Sequence, residues 1–169
     1  MKYNPAIHHR RSIRLRGYDY TQVGAYFVTI CTQNRECSLG EIVNGEMRLN
    51  DAGWMVVAQW CAMGQRFPDI ALGDYVVMPN HIHGIVTIVA SQNPTSHAPT
   101  LGEVVRAFKA VATRGVRQSV ASGFGWQRNY YEHIIRDEVD LSRICEYIGN
   151  NPAQWELDSL HPAKIQDVP

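Results

Sequence analysis

The stretch VVMPNHIHGIV, residues 76–86, decides the fold. Residues 70–78 and 82–89 are rich in β-branched side chains and are separated by Pro79-Asn80, so the sequence predicts two neighbouring strands. Residues two apart in a strand point to the same face, which places His81 beside His83 and turns Ile82 into the core. Two adjacent imidazoles form a two-point ligand set for a divalent metal ion. A surface strand also carries such a pair by chance, so the pair alone leaves both interpretations open.

The sequence around this stretch alternates strands with helices. A β-branched and aromatic run predicts a strand at 25–32, and Asn44-Gly45 predicts a hairpin between 37–42 and 46–50. Helices are predicted at 51–66, 101–119 and 140–150. Asp51 caps the first helix, and Thr100 and Glu103 form a capping box at the start of the second. A last strand is predicted at 126–136. This order predicts an α+β fold, a ferredoxin-like (RRM-like) antiparallel sheet with helices on one face.

Each predicted helix has an apolar stripe at helical spacing. The stripes are Met55, Val56, Trp60 and Met63; Leu101, Val104, Val105, Phe108 and Val111; and Leu141, Ile144, Cys145 and Ile148. Tyr147 and Asn151 lie one turn apart beside the last stripe. Taken alone, the tyrosine is typical of a half-buried packing residue and the asparagine of a residue that ends a helix.

The composition limits the class of protein. The charges of sixteen basic and sixteen acidic residues cancel, so the net charge argues against a uniformly basic protein that binds along duplex DNA. Residues 1–20 and 101–120 are nevertheless locally basic. Apolar residues make up 45% of the chain, enough for a sizeable core. The four cysteines form no CxxC pair and are interpreted as reduced thiols, and the absence of a signal or membrane-spanning pattern predicts a cytoplasmic protein.

Three segments together resemble the REP-associated tyrosine transposases, which belong to the single-tyrosine insertion-sequence transposases of the His-hydrophobic-His superfamily. They are GYDYTQVGAYFVTICTQNR at 17–35, VVMPNHIHGIV at 76–86 and WQRNYYEHIIRDEVDLSRICEYIGNNP at 126–152. The resemblance spans residues 11–155. It implies a basic arm at 1–20, a single-tyrosine transposase domain at 21–155 and a tail at 156–169.

The resemblance also implies a chemistry. His81 and His83 act from a central strand, and Asn151 completes a site for Mg²⁺ or Mn²⁺. Tyr147, on a C-terminal helix, attacks single-stranded DNA and forms a covalent 5′-phosphotyrosine that can be cleaved or rejoined, as DNA transposition and recombination require. The substrates of the family are hairpins with a single-stranded flank.

Contacts to DNA are expected from basic and aromatic residues outside the metal site. These are Arg10, Arg11, Arg14, Arg16 and Tyr18 in the arm, and Lys109, Arg128, His133 and Arg136 elsewhere. The chain has no phosphate-binding glycine loop, so no nucleotide cofactor is expected, and no membrane partner is expected either. A monomer is favoured over a homodimer because no exposed apolar seam is evident.

Three other functions stay open from the sequence. A ferredoxin-like sheet also binds single-stranded nucleic acid without cutting it, as RNA-recognition domains do, but their aromatic signature is absent. A small metallohydrolase would use the histidines with activated water and would leave Tyr147 without a role. A replication initiator or relaxase shares the tyrosine chemistry, but its flanking segments match less well.

Overall fold

The computed structural model describes residues 23–91 and 98–165. The arm residues Arg10, Arg11, Arg14, Arg16 and Tyr18 lie outside the described residues. The elements are β1 (Gly24–Cys31), β2 (Gly40–Val43), β3 (Glu46–Leu49), α1 (Asp51–Arg66), β4 (Ile70–Met78), β5 (His81–Ile88), α2 (Leu101–Ser119), β6 (Tyr131–Ile135) and α3 (Glu138–Asn150). Short helical turns at Gln33–Arg35, Pro152–Leu157 and Pro162–Ile165 complete the described chain.

Four antiparallel strands form the main sheet, in the order β4-β5-β1-β6. The strands β2 and β3 form a separate hairpin, and its turn residues Asn44 and Gly45 both have positive φ, which asparagine and glycine tolerate best. The predicted α+β class and the predicted order of elements are therefore confirmed. The central strand β5 carries the His-x-His motif.

The two long helices cover one face of the sheet. Ile82 of β5 is fully buried there, in a core that includes Trp60 of α1 and Phe108 of α2, whose ring centroids lie 5.1 Å apart. Gly84 lets β5 approach α1, because a Cβ atom at this position would lie 2.4 Å from Trp60 Cζ2. This face supplies the hydrophobic core that holds β5 in place.

Helix α3 lies on the opposite face of the sheet. It packs there through Ile144 and Ile148, which form a small apolar cluster with Phe27 of β1 and Ile85 of β5. The predicted stripe was too wide, because Leu141 is 37% exposed. Only one edge of α3 therefore packs its apolar side chains on the sheet, and Leu141 lies outside that cluster.

Several predicted boundaries agree with the structure and others do not. Helix α2 begins with the predicted capping box, in which Glu103 N donates to Thr100 Oγ1 and the Glu103 carboxylate accepts from Thr100 N. Helix α1 is capped by Asn50 rather than Asp51, because Asn50 Oδ1 accepts from Gly53 N. The last strand is shorter than predicted, since only Tyr131–Ile135 pairs with β1.

No helix among the described residues combines the length and the apolar composition that a membrane span requires.

Candidate metal and tyrosine site

The two histidines of β5 converge on one point. His81 and His83 are buried, 0% and 2% exposed, and their Nε2 atoms lie 3.0 Å apart. The β5 register turns both rings toward the face that carries α3, while Ile82 points into the core on the other face. The predicted side-by-side arrangement is therefore present, but in a buried site rather than on an exposed strand.

Neighbouring polar groups fix which ring nitrogen of His81 carries the proton. The Asn80 amide nitrogen donates to the carbonyl oxygens of Arg35 and Leu160, so its Oδ1 faces His81 Nδ1 at 2.8 Å. That oxygen only accepts, so His81 Nδ1 donates and Nε2 keeps its lone pair. The hydroxyl of Thr29 lies 2.8 Å from His83 Nδ1. When that nitrogen donates its proton to the hydroxyl, His83 Nε2 also keeps its lone pair.

Two oxygen-bearing side chains complete the cluster. Asp158 follows the helical turn after α3, and its carboxylate lies 3.8 Å from His81 Nε2. Its ligand atom and those of His81 and His83 all lie within 4.8 Å of one another. Asn151 is 3% exposed and its Oδ1 is buried with no hydrogen-bond partner. A buried acceptor without a partner costs free energy, so this oxygen fits a position beside a cation.

Tyr147 lies at the open side of this cluster. Its hydroxyl is 3.3 Å from His83 Nε2, and the residue is 42% exposed. Phe27 of β1 supports both side chains, because its ring stacks on the His83 ring at 5.2 Å and meets the Tyr147 ring edge-on at 6.0 Å. Asn151 has helical φ and ψ even though Pro152 follows it, so the turn of α3 continues and keeps Asn151 one turn from Tyr147.

Burial sets the protonation of the cluster. It lowers the pKa of His81 to about 3, with a smaller contribution from the Arg35 cation, and it lowers the pKa of His83 well below its ordinary value. Both rings are therefore neutral at neutral pH, the form that binds metal. Burial and the Asp158 carboxylate raise the pKa of Tyr147, against a smaller opposing effect of the Asn151 amide.

The four residues singled out from the sequence thus meet in one place: His81, His83, Tyr147 and Asn151. His81, His83 and Asp158 together form a ligand set that could hold a divalent metal ion.

The expected DNA contacts outside the arm lie along the β6 edge and have different surroundings. Lys109 directs its ammonium at the carbonyl oxygens of Gln127, Arg128 and Asn129, at 2.8, 3.4 and 2.9 Å. His133 Nε2 lies 2.7 Å from the Asp140 carboxylate at the start of α3. Arg128 and Arg136 are exposed at opposite ends of β6. Their part in DNA binding stays a prediction.

Sequence reasoning missed three residues of this site, namely Asn80, Thr29 and Asp158. Asn80 was interpreted only as a turn residue, although its place before His81 offers a local signal. Thr29 is the register partner of His83, which becomes evident only when β1 is paired with β5. Asp158 lay in the predicted tail, and nothing in its spacing indicates that the chain returns to the site.

Comparison with known proteins places this geometry in context. No family model matches the chain. A Haemophilus influenzae protein of uncharacterised function is 45% identical over 175 residues, covering 95% of this chain and 97% of its own. A second protein of that organism, provisionally named a REP-associated tyrosine transposase, is 29% identical over 160 residues, covering 85% and 83%.

Two solved structures have the same fold. A REP-associated tyrosine transposase bound to a REP hairpin superposes with a TM-score of 0.63 at 22% identity, over 88% of this chain and 77% of that one. A Deinococcus radiodurans protein provisionally described as a transposase gives a TM-score of 0.51 at 17% identity, over 82% and 97%.

One of these relatives and both solved structures are described as transposases, and this chain has the fold of the solved structures. The chain is similar to REP-associated tyrosine transposases in sequence and shares the fold of one of them, and the three sequence segments predict this resemblance.

Proposed function

We propose that this protein is a metal-dependent transposase that nicks and joins single-stranded DNA beside a hairpin, through a covalent bond to Tyr147. One observation carries the proposal: the Tyr147 hydroxyl lies 3.3 Å from His83 Nε2, in a cluster where two neutral histidines and a carboxylate bring their possible ligand atoms within 4.8 Å of one another. A nucleophile next to a cation site is the arrangement that phosphoryl transfer needs. The relative bound to a REP hairpin supports hairpin DNA as the substrate.

The residues that would hold the ion are His81, His83 and Asp158, with Asn151 Oδ1 as a fourth ligand. The chemistry that a bound divalent ion supplies here is polarisation of the scissile phosphate and stabilisation of charge on the departing 3′ oxygen. Asn80 holds His81 in the tautomer that leaves Nε2 free to bind. We propose Mn²⁺ as the better activator and Mg²⁺ as the weaker one.

Tyr147 would supply the nucleophile. Its hydroxyl oxygen would form a bond to phosphorus, and the bond between phosphorus and the 3′ oxygen would break. The phenol would lose its proton, and the departing 3′ oxygen would gain a proton and become a 3′-hydroxyl. Phe27 orients the ring by its edge-on contact, so the hydroxyl stays near His83. The raised pKa of Tyr147 means that the free phenol is almost fully protonated at neutral pH, so proton removal accompanies attack.

The covalent product conserves the energy of the phosphate bond. The 3′-hydroxyl of another strand can then attack the phosphotyrosine, reverse the step and join two DNA ends without ATP. A metallohydrolase that uses activated water would release a free 5′-phosphate and could not rejoin strands. The position of Tyr147 beside the cluster favours the covalent mechanism.

The test uses labelled hairpin oligonucleotides from the DNA that flanks the gene, each with a single-stranded extension. The protein is incubated with each oligonucleotide in Mn²⁺ or in EDTA, and the products are separated on a denaturing protein gel. We expect a shifted protein–DNA band in Mn²⁺ that EDTA prevents. Tyr147→Phe should eliminate the band, because it removes the attacking oxygen.

The matched control is Tyr75→Phe, which removes another partly exposed phenol, one that lies outside the site and contacts Cys61. This control should form the shifted band at the wild-type level. Cleavage without a shifted band would indicate activated water and support a hydrolase. Binding without cleavage would leave a hairpin-binding module.

A further inference from the structure

A groove of about 500 Å³ lies between the first turns of α2 and the segment that leads into β6. It is separate from the metal cluster and lies at the β6 edge of the sheet. Its volume falls in the range of small-ligand sites. Arg106, Lys109 and Arg128 line it together with the ring of Tyr130.

The charge of the groove is positive. Three cationic side chains face it against one carboxylate, Glu103, and that carboxylate is already bound to Thr100 N and Oγ1 in the capping box. The Glu103 carboxylate is therefore held at the N-terminus of α2. The exposed guanidinium groups of Arg106 and Arg128 are the groups of the groove that can bind an anion. Guanidinium forks match phosphate oxygens in geometry and charge.

Lys109 builds the wall of the groove. Its ammonium is held by the carbonyl oxygens of residues 127–129 and lies 5.7 Å from the centroid of the Tyr130 ring. These contacts use its donors internally and fix the segment that carries Arg128 and Tyr130. The groove is thus shaped before any ligand arrives, and a preformed site loses less entropy on binding.

The strand register gives the separation between the groove and the metal cluster. Tyr130 lines the groove on the side of α2, and Tyr131 is the register partner of Thr29 on β1, which in turn pairs with His83. Two strand spacings, roughly 10 Å, therefore separate the β6 backbone at Tyr131 from that at His83. A single strand that contacts both the groove and Tyr147 would therefore pass over the β6 edge of the sheet.

We propose that this groove binds an unpaired nucleotide of the DNA strand that Tyr147 cuts, with its base against the Tyr130 ring and its phosphate between Arg106 and Arg128. This inference rests on the proposed function, and it adds a separate contact that holds the single-stranded flank. Stacking on an aromatic ring tolerates any base, whereas two guanidinium groups require a phosphate, so the groove would bind single strands with little dependence on sequence.

The experiment measures binding by fluorescence anisotropy in EDTA, which keeps metal-dependent cleavage out of the measurement. The probes are a single strand of about eight thymidines, a hairpin with that extension and the same hairpin without it. The variants are Arg106→Gln with Arg128→Gln and, separately, Tyr130→Leu. The control is Arg114→Gln, which removes an exposed cation from the same helix outside the groove.

We expect both groove variants to bind the single strand about tenfold more weakly or worse. The hairpin with the extension should lose affinity, the hairpin without it should bind within about twofold of the wild type, and Arg114→Gln should match the wild type. Unchanged affinity for the single strand, or an equal loss for the bare hairpin, would overturn the proposal.

The adduct assay, run on the same preparations, separates the two proposals. If the wild-type protein forms the adduct and the groove variants bind the single strand normally, the groove proposal fails and the proposed function stands. If the wild-type protein forms no adduct although the groove variants lose single-strand affinity, the groove stands and the proposed function fails. Circular dichroism of each variant confirms that the fold is intact.

Discussion

On one face of the sheet, Trp60, Phe108 and Ile82 are buried in the hydrophobic core, whereas on the other face the polar residues His81 and Asn151 are buried. Burial of apolar surface stabilises the first face by about 25 cal/mol per Å². Burial of polar atoms costs free energy unless each finds a partner, and Asn151 Oδ1 has none. The first face therefore supplies most of the stability of the fold, and the second buries an amide oxygen that has no hydrogen-bond partner.

The largest change in the free energy of unfolding is expected for a substitution in the apolar face. Trp60→Ala removes a ring that contacts Phe108 and lies against Gly84, and we expect it to lower the free energy of unfolding by about 3–5 kcal/mol. Urea unfolding followed by circular dichroism measures this change. A loss below about 1 kcal/mol would contradict the assignment of this face as the main source of stability.

The pH dependence of stability tests the polar face. The pKa of His81 is about 3 in the folded chain and 6.5 in its ordinary state, so below pH 6.5 the unfolded chain binds a proton that the folded chain does not. In EDTA, the stability is complete above about pH 6.5. It should fall by about 1.4 kcal/mol per pH unit for this group as the pH drops toward 3.

His81→Gln provides the control for that titration. Urea unfolding between pH 7 and pH 4 should show a shallower pH slope in this variant than in the wild type. Equal slopes would mean that His81 is protonated in the folded chain, which the buried site does not accommodate.

A smaller effect is expected for the residue that orients His81. Asn80→Ala removes the acceptor of the His81 Nδ1 proton, and we expect Mn²⁺ to bind about 10–100-fold more weakly. Isothermal titration calorimetry measures the affinity, with Gln65→Ala on the exposed side of α1 as the control. Unchanged Mn²⁺ affinity in Asn80→Ala would show that the tautomer of His81 is fixed by other groups.

The smallest change in stability is expected at the proposed nucleophile. Tyr147→Phe removes a hydroxyl from a side chain that is 42% exposed and keeps the ring contact with Phe27, so the free energy of unfolding should change by less than about 0.5 kcal/mol. Thermal unfolding measures it. A large loss would mean that the hydroxyl is a structural group, and the absence of an adduct in this variant would then have a structural explanation.

Local patterns predicted one part of the molecule well. The alternation around Ile82 and the capping box at Thr100 depend on residues close in sequence, and the structure confirms both. The spacing of Tyr147 and Asn151 predicted that they lie on the same side of the helix, and the structure places Tyr147 against His83 and Asn151 against Asp158. These features follow from strand and helix periodicity, which the sequence carries directly.

The remaining features depend on how distant segments pack. Asp158 joins His81 because the chain turns back after α3, and no periodicity encodes that return. Leu141 was predicted to be buried, but it is 37% exposed, and the α3 residues in the apolar cluster on the sheet are Ile144, Ile148 and, partly buried, Cys145. Lys109 resembles a surface cation in sequence, although its ammonium is enclosed by carbonyl oxygens twenty residues away.

Covalent attack by Tyr147 is tested by identifying the residue that carries the DNA. The protein is incubated with a hairpin oligonucleotide and Mn²⁺, the covalent product is digested with trypsin and nuclease, and the modified peptide is sequenced by mass spectrometry. We predict a 5′-phosphate-linked nucleotide on Tyr147 and on no other tyrosine. Modification of a different residue, or cleaved DNA with no modified peptide, would contradict it.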